Sequence, residues 1–349
     1  MHVHFGAVAL PLLLSITTLP ALACQLPNGE RARPILNVRL DNDALGFDGQ
    51  DRGYTSGFEF GWMSANLERA HDADCVPNGL RRVHRFLEDL HPQDYEQRNF
   101  LFTLTQAIYT PSEGESASLL PRDRPYAAAL LFGVGYNARQ EERLRTTQVR
   151  IGMVGPSARG QQVQNGIHNV IGVKHWQGWD HQLRDEPVLQ VVHERLRRYG
   201  QQPFWGSRFW SWDLITHYGG SVGNYLTHAN VGAEWRLGRG LPDDFGSDPL
   251  RPSGENTAPV LRLPSGDWEG HFFASVDVRA VAWNITLDGN TWKDSHSVDK
   301  RPLVADLGVG TSLTVRGWKL ALAHYWRTRE FRGQEARPMF GSITASRRF

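Results

Sequence analysis

From Pro34 onward, apolar and polar residues alternate with a period of two. Leu36, Val38 and Leu40 would face one way, and Asn37, Arg39 and Asp41 the other. Phe58, Phe60 and Trp62 alternate with Gly57, Glu59 and Gly61. Longer stripes run from Tyr225 to Leu237 and from Leu303 to Val315. About twelve such segments recur, near 34–42, 55–65, 98–109, 125–137, 145–154, 187–199, 207–219, 224–238, 271–286, 302–315, 317–327 and 338–349. This period predicts strands with one apolar and one polar face.

Many of these segments reach ten residues, beyond the five or six common in soluble sheets and suited to strands crossing a bilayer at a tilt. An even number of long two-faced strands predicts an all-β fold, a closed antiparallel transmembrane β-barrel. Closure pairs every backbone group and leaves no edge. The chain ends in Phe349, a terminal aromatic that resembles the last residue of bacterial outer-membrane barrels. A large secreted β-sandwich or barrel is the soluble alternative.

The first residues read MHVHFGAVALPLLLSITTLPALACQ. The apolar run from Phe5 to Leu22 closes on Ala21-Leu22-Ala23, which predicts a signal peptide over 1–23 and an exported domain over 24–349. Cys24 would begin the mature chain, and Ala21 weakens a lipoprotein reading of it. Cys75 is the other cysteine, so the chain has either one disulfide or two unrelated thiols. The net charge of +1 gives no reason to expect a nucleic-acid partner. Mean hydropathy is −0.44, polar for a chain with 12 Trp, 16 Phe and 9 Tyr. There is no internal repeat and no low-complexity tract.

With both termini in the periplasm, strand parity puts the connections near 43–54, 110–124, 155–186, 287–301 and 328–337 outside the cell. Those near 66–97 and 239–270 fall in the periplasm. The first of these carries Cys75 and a predicted short helix from Leu80 to Leu90; the second, rich in Pro, Gly, Asp and Ser, reads as an irregular excursion.

Candidate chemistry gathers in the outer connections. Asn42 and Asp43 end the first strand and Thr55 opens the second, so strand pairing could bring hard oxygen ligands together. Such ligands suit calcium. A polar turn is the plain alternative. In MVGPSARGQQVQNGIHNVIGVKHWQGWDHQL, Ser157 is a candidate cap for a helix from Gln161 to Lys174. On that helix Gln164 and His168 share a face, and a histidine there could serve as a general base or be structural. No G-x-S-x-G elbow marks Ser56 or Ser157 as a nucleophile, and no zinc spacing is present. Arg122 and Arg124 could meet a phosphate, or pair with Asp123 within the wall.

Taken together in order, the Asn42-Asp43 pair, DRGYTSG, YTPS, RDRPYAA, GMVGPSARGQQVQNGIH and GWDHQL resemble the outer-membrane lipid A deacylase family of the LpxR type. The resemblance spans most of the mature chain. It implies a twelve-stranded barrel and calcium-dependent removal of the 3′-linked acyloxyacyl chain from lipid A. It also implies an active site containing Asn42, Asp43, Thr55 and His168, with Gln164 as a neighbour. Lys174 stands where at least one member has an acidic residue, and Glu113 and Glu115 occupy a region where the family has basic ones. The connection carrying Cys75 looks like an insertion.

The resulting expectation is ester hydrolysis at the outer rim. His168 would take a proton from water, while calcium held partly by Asn42 and Asp43 polarises the acyl carbonyl. Thr55 would orient metal, water or substrate. Arg52, Arg122, Arg124 and Lys174 are candidates for meeting lipid A phosphates. The chain is expected to act as a monomer among outer-membrane lipids. Rival readings are a phospholipase-type esterase using the same rim and a porin-like or structural barrel.

Overall fold

The computed structural model describes residues 34–46, 53–67, 95–207, 209–246 and 268–348, with isolated positions between 78 and 85. The predicted signal peptide, Cys24, Cys75, Arg52, Phe349 and most of the predicted 80–90 helix lie outside the described residues.

Twelve strands form one closed antiparallel barrel, each bonded to its chain neighbours. They are β1 (Ile35–Asn42), β2 (Gly53–Met63), β3 (Gln97–Thr110), β4 (Ala127–Gln140), β5 (Arg143–Val154) and β6 (Glu186–Pro203). The second half comprises β7 (Ser211–Gly223), β8 (Leu226–Arg239), β9 (Trp268–Asn284), β10 (Leu303–Val315), β11 (Trp318–Arg327) and β12 (Met339–Arg348). Ile35 pairs with Arg348 and Asn42 with Gly341, so β1 and β12 close the wall. No helix among the described residues is long and apolar enough to cross a membrane; the strands supply the crossing.

Alternation sorts the side chains into an outward apolar face and an inward polar one. Leu104, Phe132, Ile151 and Leu189 are exposed on the outside. Their neighbours Thr103, Gln148 and Gln190 are buried inside. The lumen is filled by charge pairs and hydrogen bonds. Arg39 meets Asp41 at 3.2 Å and Glu59 at 3.7 Å. Tyr54 donates to Asp41 at 2.7 Å. Asp306 receives Arg327 and Arg279, and His217 meets Asp277 at 2.9 Å. Buried charge is tolerable here because it is paired and hydrogen-bonded.

The two-residue turns Glu141–Glu142 and Arg316–Gly317 lie at the end holding both termini, the periplasmic end of such barrels. The connection after β8 does not simply leave the barrel as an excursion. Its first residues turn back into the lumen, where Phe245 packs on Leu144 and Leu196. Asp243 accepts from Arg139 and Arg198, each at 2.7 Å. Asp244 accepts from Arg236 and from Lys319, the latter at 3.0 Å. Burial alone would raise the Asp244 pKa, but Lys319 and Arg236 outweigh it and hold the carboxyl well below the usual range. Four carboxylate-to-cation contacts therefore pin a plug at the periplasmic end.

Candidate active site

The β5–β6 connection carries the helix α1 (Gly160–Ile171). Its start differs from the predicted cap. Ser157 lies in a preceding 3-10 turn, Pro156–Ala158, and its hydroxyl bonds Asp185 at 2.7 Å. Arg159, in the left-handed region, takes the N-cap position instead. The helix stops at Gly172, whose φ of 74° suits glycine and whose N–H donates to the carbonyl of His168.

This helix lies on the outer wall of the barrel. Ala158, just before it, packs with Ile108 of β3 and Ala128 of β4. Ile108 pairs with Ala128, and Gln106 with Leu130, so these share the outward parity of Leu104 and Leu130. Gln106 is a polar residue in that apolar stripe, and its amide donates to the carbonyl of Ala158 at 2.6 Å. Gly160 sits so close to the wall that an added Cβ would lie 2.4 Å from the Cβ of Ala128. Trp176 and Trp179 complete the apolar seat with Tyr126.

Gln164 and His168 are one turn apart on α1 and both buried. Trp179 Nε1 donates to Gln164 Oε1 at 3.1 Å and holds the amide. His168 Nδ1 lies 2.7 Å from the carbonyl oxygen of Lys174. A carbonyl can only accept, so Nδ1 carries the hydrogen and Nε2 of the neutral ring is the acceptor. The ring meets Trp176 edge-on at a centroid distance of 6.4 Å.

The second cluster occupies the same outward side of the neighbouring strands. Asn42 continues the parity of Leu36, Val38 and Leu40, and its Nδ2 donates to the carbonyl of Thr55 at 3.1 Å. Asp43 opens a 3-10 turn, Asp43–Gly46, and is 3% exposed. A register shift between Tyr54 and Ser56 releases Thr55 from strict alternation. Its hydroxyl meets that of Thr110 at 2.5 Å, and Thr110 has the outward parity of Ile108. Thus Thr55 and the α1 seat share one outer surface across β2, β3 and β4.

The donor chemistry of the Asn42–Asp43 corner fits a hard cation. Asn42 anchors its Nδ2 on the Thr55 carbonyl, and its amide oxygen and the Asp43 carboxylate, adjacent in sequence, are both hard oxygen donors. Calcium takes about six to eight oxygens, so these two side chains supply part of a shell. Among the described residues, no group of three or more His, Cys, Asp or Glu comes together as a metal site. The remaining donors would be amide or backbone oxygens, water and substrate.

The basic candidates separate. Arg124 is buried on the lumen side, bonded to Glu330 at 3.2 Å and Thr286 at 3.0 Å and stacked over Tyr109. Its ion partner is Glu330, not Asp123, whose carboxylate accepts from Ser112 and the Arg124 amide. Arg124 is therefore a structural tie and does not reach the outer wall. Arg122 is exposed, at a mouth cleft of about 470 Å³ between the β3–β4 and β11–β12 connections. The Lys174 ammonium pairs with Glu115 at 3.0 Å in an exposed contact, so this residue serves His168 through its main chain. Trp179, Thr110, Gln106 and the Lys174 carbonyl were not among the sequence candidates. Gln106 was detectable as a break in an apolar stripe, and Trp179 lies within GWDHQL.

The family model described as outer membrane protein LpxR matches residues 9–349. Among solved structures, LpxR from Salmonella typhimurium is similar at 20% identity with a TM-score of 0.69. That match covers 90% of this chain and 100% of the other. The β domain of the Bordetella autotransporter BrkA aligns at 10% identity with a TM-score of 0.42, covering 91% of this chain and 99% of that one. No curated protein sequence matches the chain.

Proposed function

The chain belongs to the LpxR outer membrane protein family, and from that premise we propose that it is a calcium-dependent hydrolase. Its reaction removes the 3′-linked acyloxyacyl chain of lipid A in the outer leaflet. The observation that carries this reading is the Nδ1 contact of His168 with the Lys174 carbonyl, on the outward wall beside the strands bearing Asn42 and Thr55. A base held in that tautomer, at the lipid face and the extracellular end, suits an ester that lies in the membrane.

In this mechanism Nε2 of His168 accepts a proton from water, whose oxygen attacks the acyl carbonyl carbon. The acyl–oxygen bond breaks, and the protonated imidazole returns the proton to the departing sugar oxygen. Gln164, held by Trp179, and the Trp176 ring fix the helix face and keep bulk water from the imidazole. The Asn42 amide oxygen and the Asp43 carboxylate would hold calcium, and Thr55 would orient the metal, the water or the ester. The chemistry a bound Ca²⁺ supplies is polarisation of the ester carbonyl. Arg122, exposed at the mouth cleft, would meet a lipid A phosphate.

The test is acyl release from lipid A by purified, folded protein with calcium. The His168→Ala variant is expected to lose about 10²- to 10⁴-fold in rate, the range of general-base effects. Undiminished release would remove His168 from the mechanism.

A further inference from the structure

On the outward face near the periplasmic end, β5 and β6 place arginine opposite arginine twice. Arg143 pairs with Arg197 and Arg145 with Arg195 in the strand register. The next outward pair is Thr147 with His193, and above it come Val149 with Val191 and Ile151 with Leu189. The quartet therefore sits just below the apolar band, next to the Glu141–Glu142 turn.

Like charges directly opposite on one sheet face destabilise the pairing. Among the described residues none of these four arginines makes an ion pair. Arg145 donates to the hydroxyl of Tyr95 at 3.3 Å, and Arg197 stacks on the ring of Tyr199 at 5.1 Å. Among the described residues, the carboxylates of the adjoining turn do not answer the charge: Glu142 faces Arg198 at 3.4 Å, and Glu141 is exposed. Strand spacing roots the four stems in a patch of roughly 5 by 7 Å. Four guanidinium heads on such a footprint can converge on one anionic group.

We propose that this quartet is a binding site for the headgroup of an anionic phospholipid in the inner leaflet. The occupant follows from continuity with the lipid-facing wall. Tyr218, opposite Arg195, is 57% exposed on the same face, and Tyr199 adjoins Arg197. Such aromatics mark the interface level of outer-membrane barrels. Arginine binds phosphate in a bidentate fork, and its stem lets the head reach from the apolar edge to the headgroup layer. The site lies at the opposite end of the barrel from α1 and does not depend on the deacylase reading.

The experiment is native mass spectrometry of the full protein in detergent, with diphosphatidylglycerol and phosphatidylethanolamine supplied in equal amounts. The wild type is expected to retain the anionic lipid at least tenfold more than the zwitterionic one. Changing Arg143, Arg145, Arg195 and Arg197 to Gln should reduce that preference at least tenfold, with heat-modifiable gel migration reporting the fold. Should the quadruple variant not fold, the R143Q/R197Q pair and a NaCl titration of the wild type serve instead, each expected to erode the preference. Equal retention of the two lipids, or a preference untouched by the substitutions and by salt, overturns the proposal. So does binding of polyglutamate in preference to diphosphatidylglycerol, which would assign the patch to an acidic protein.

Discussion

His168 Nδ1 and the carbonyl oxygen of Lys174 stand 2.7 Å apart, just beyond the C-terminus of α1. The contact joins a helix to the segment that follows it, and it sets which imidazole nitrogen can take a proton. It also explains how a lysine can occupy this position: the main chain does the positioning, while the ammonium turns outward to Glu115.

Replacing Lys174 by Ala should therefore change the deacylation rate by less than about threefold. The exposed ion pair it removes is worth only about 0–1 kcal/mol. Steady-state acyl release measures this. A loss approaching that of His168→Ala would give the ammonium a direct role.

Trp179→Phe keeps most of the ring volume but removes the N–H that holds Gln164. Losing one such bond is worth about 0.5–1.5 kcal/mol. The expected result is a two- to tenfold fall in kcat with the barrel intact by heat-modifiable migration. Gln164→Glu should be worse, because it leaves a buried carboxylate on an apolar seat.

Asp43→Asn should raise the calcium concentration for half-maximal activity at least tenfold, and chelation should abolish wild-type acyl release. A calcium titration of the rate checks both. An unchanged midpoint in the variant would remove Asp43 from the metal shell.

The plug gives a pH prediction. The Asp244 carboxyl is held below its ordinary range because Lys319 and Arg236 outweigh burial. Its stabilisation is thus fully present above the unfolded value of about 3.9 and is lost as pH falls through the lower folded value. The unfolding midpoint of Asp244→Asn should lie below that of wild type at neutral pH, with the gap closing only in strong acid. Thermal unfolding in detergent across pH follows it. The same plug predicts no steady current for the wild type in a planar bilayer, which separates it from a porin.

Much of the wall was legible in the sequence because a two-residue period is local. Leu36, Val38 and Leu40 declare their face without knowledge of their partners, and the even strand count then closes the barrel. The spacing of Gln164 and His168 likewise required only helical geometry. What the sequence left hidden depends on register. Thr55 meets Thr110 across 55 positions, and α1 rests on Ile108 and Ala128 because those two residues pair outward. The plug was hidden for another reason: Asp243, Asp244 and Phe245 resemble loop residues until Arg139, Arg198 and Arg236 surround them. Arg124 was expected to meet a phosphate or to pair with its neighbour Asp123, and its ion partner Glu330 was hidden because it lies 206 residues away.

The most direct measurement is the mass spectrum of lipid A from cells that make this protein and from cells that lack it. A new species lighter by one acyloxyacyl group is expected, with fragmentation placing the loss at the 3′ position, and it should be absent when the protein carries His168→Ala. Identical spectra, despite folded protein in the outer membrane and calcium in the medium, would contradict lipid A deacylation by this protein.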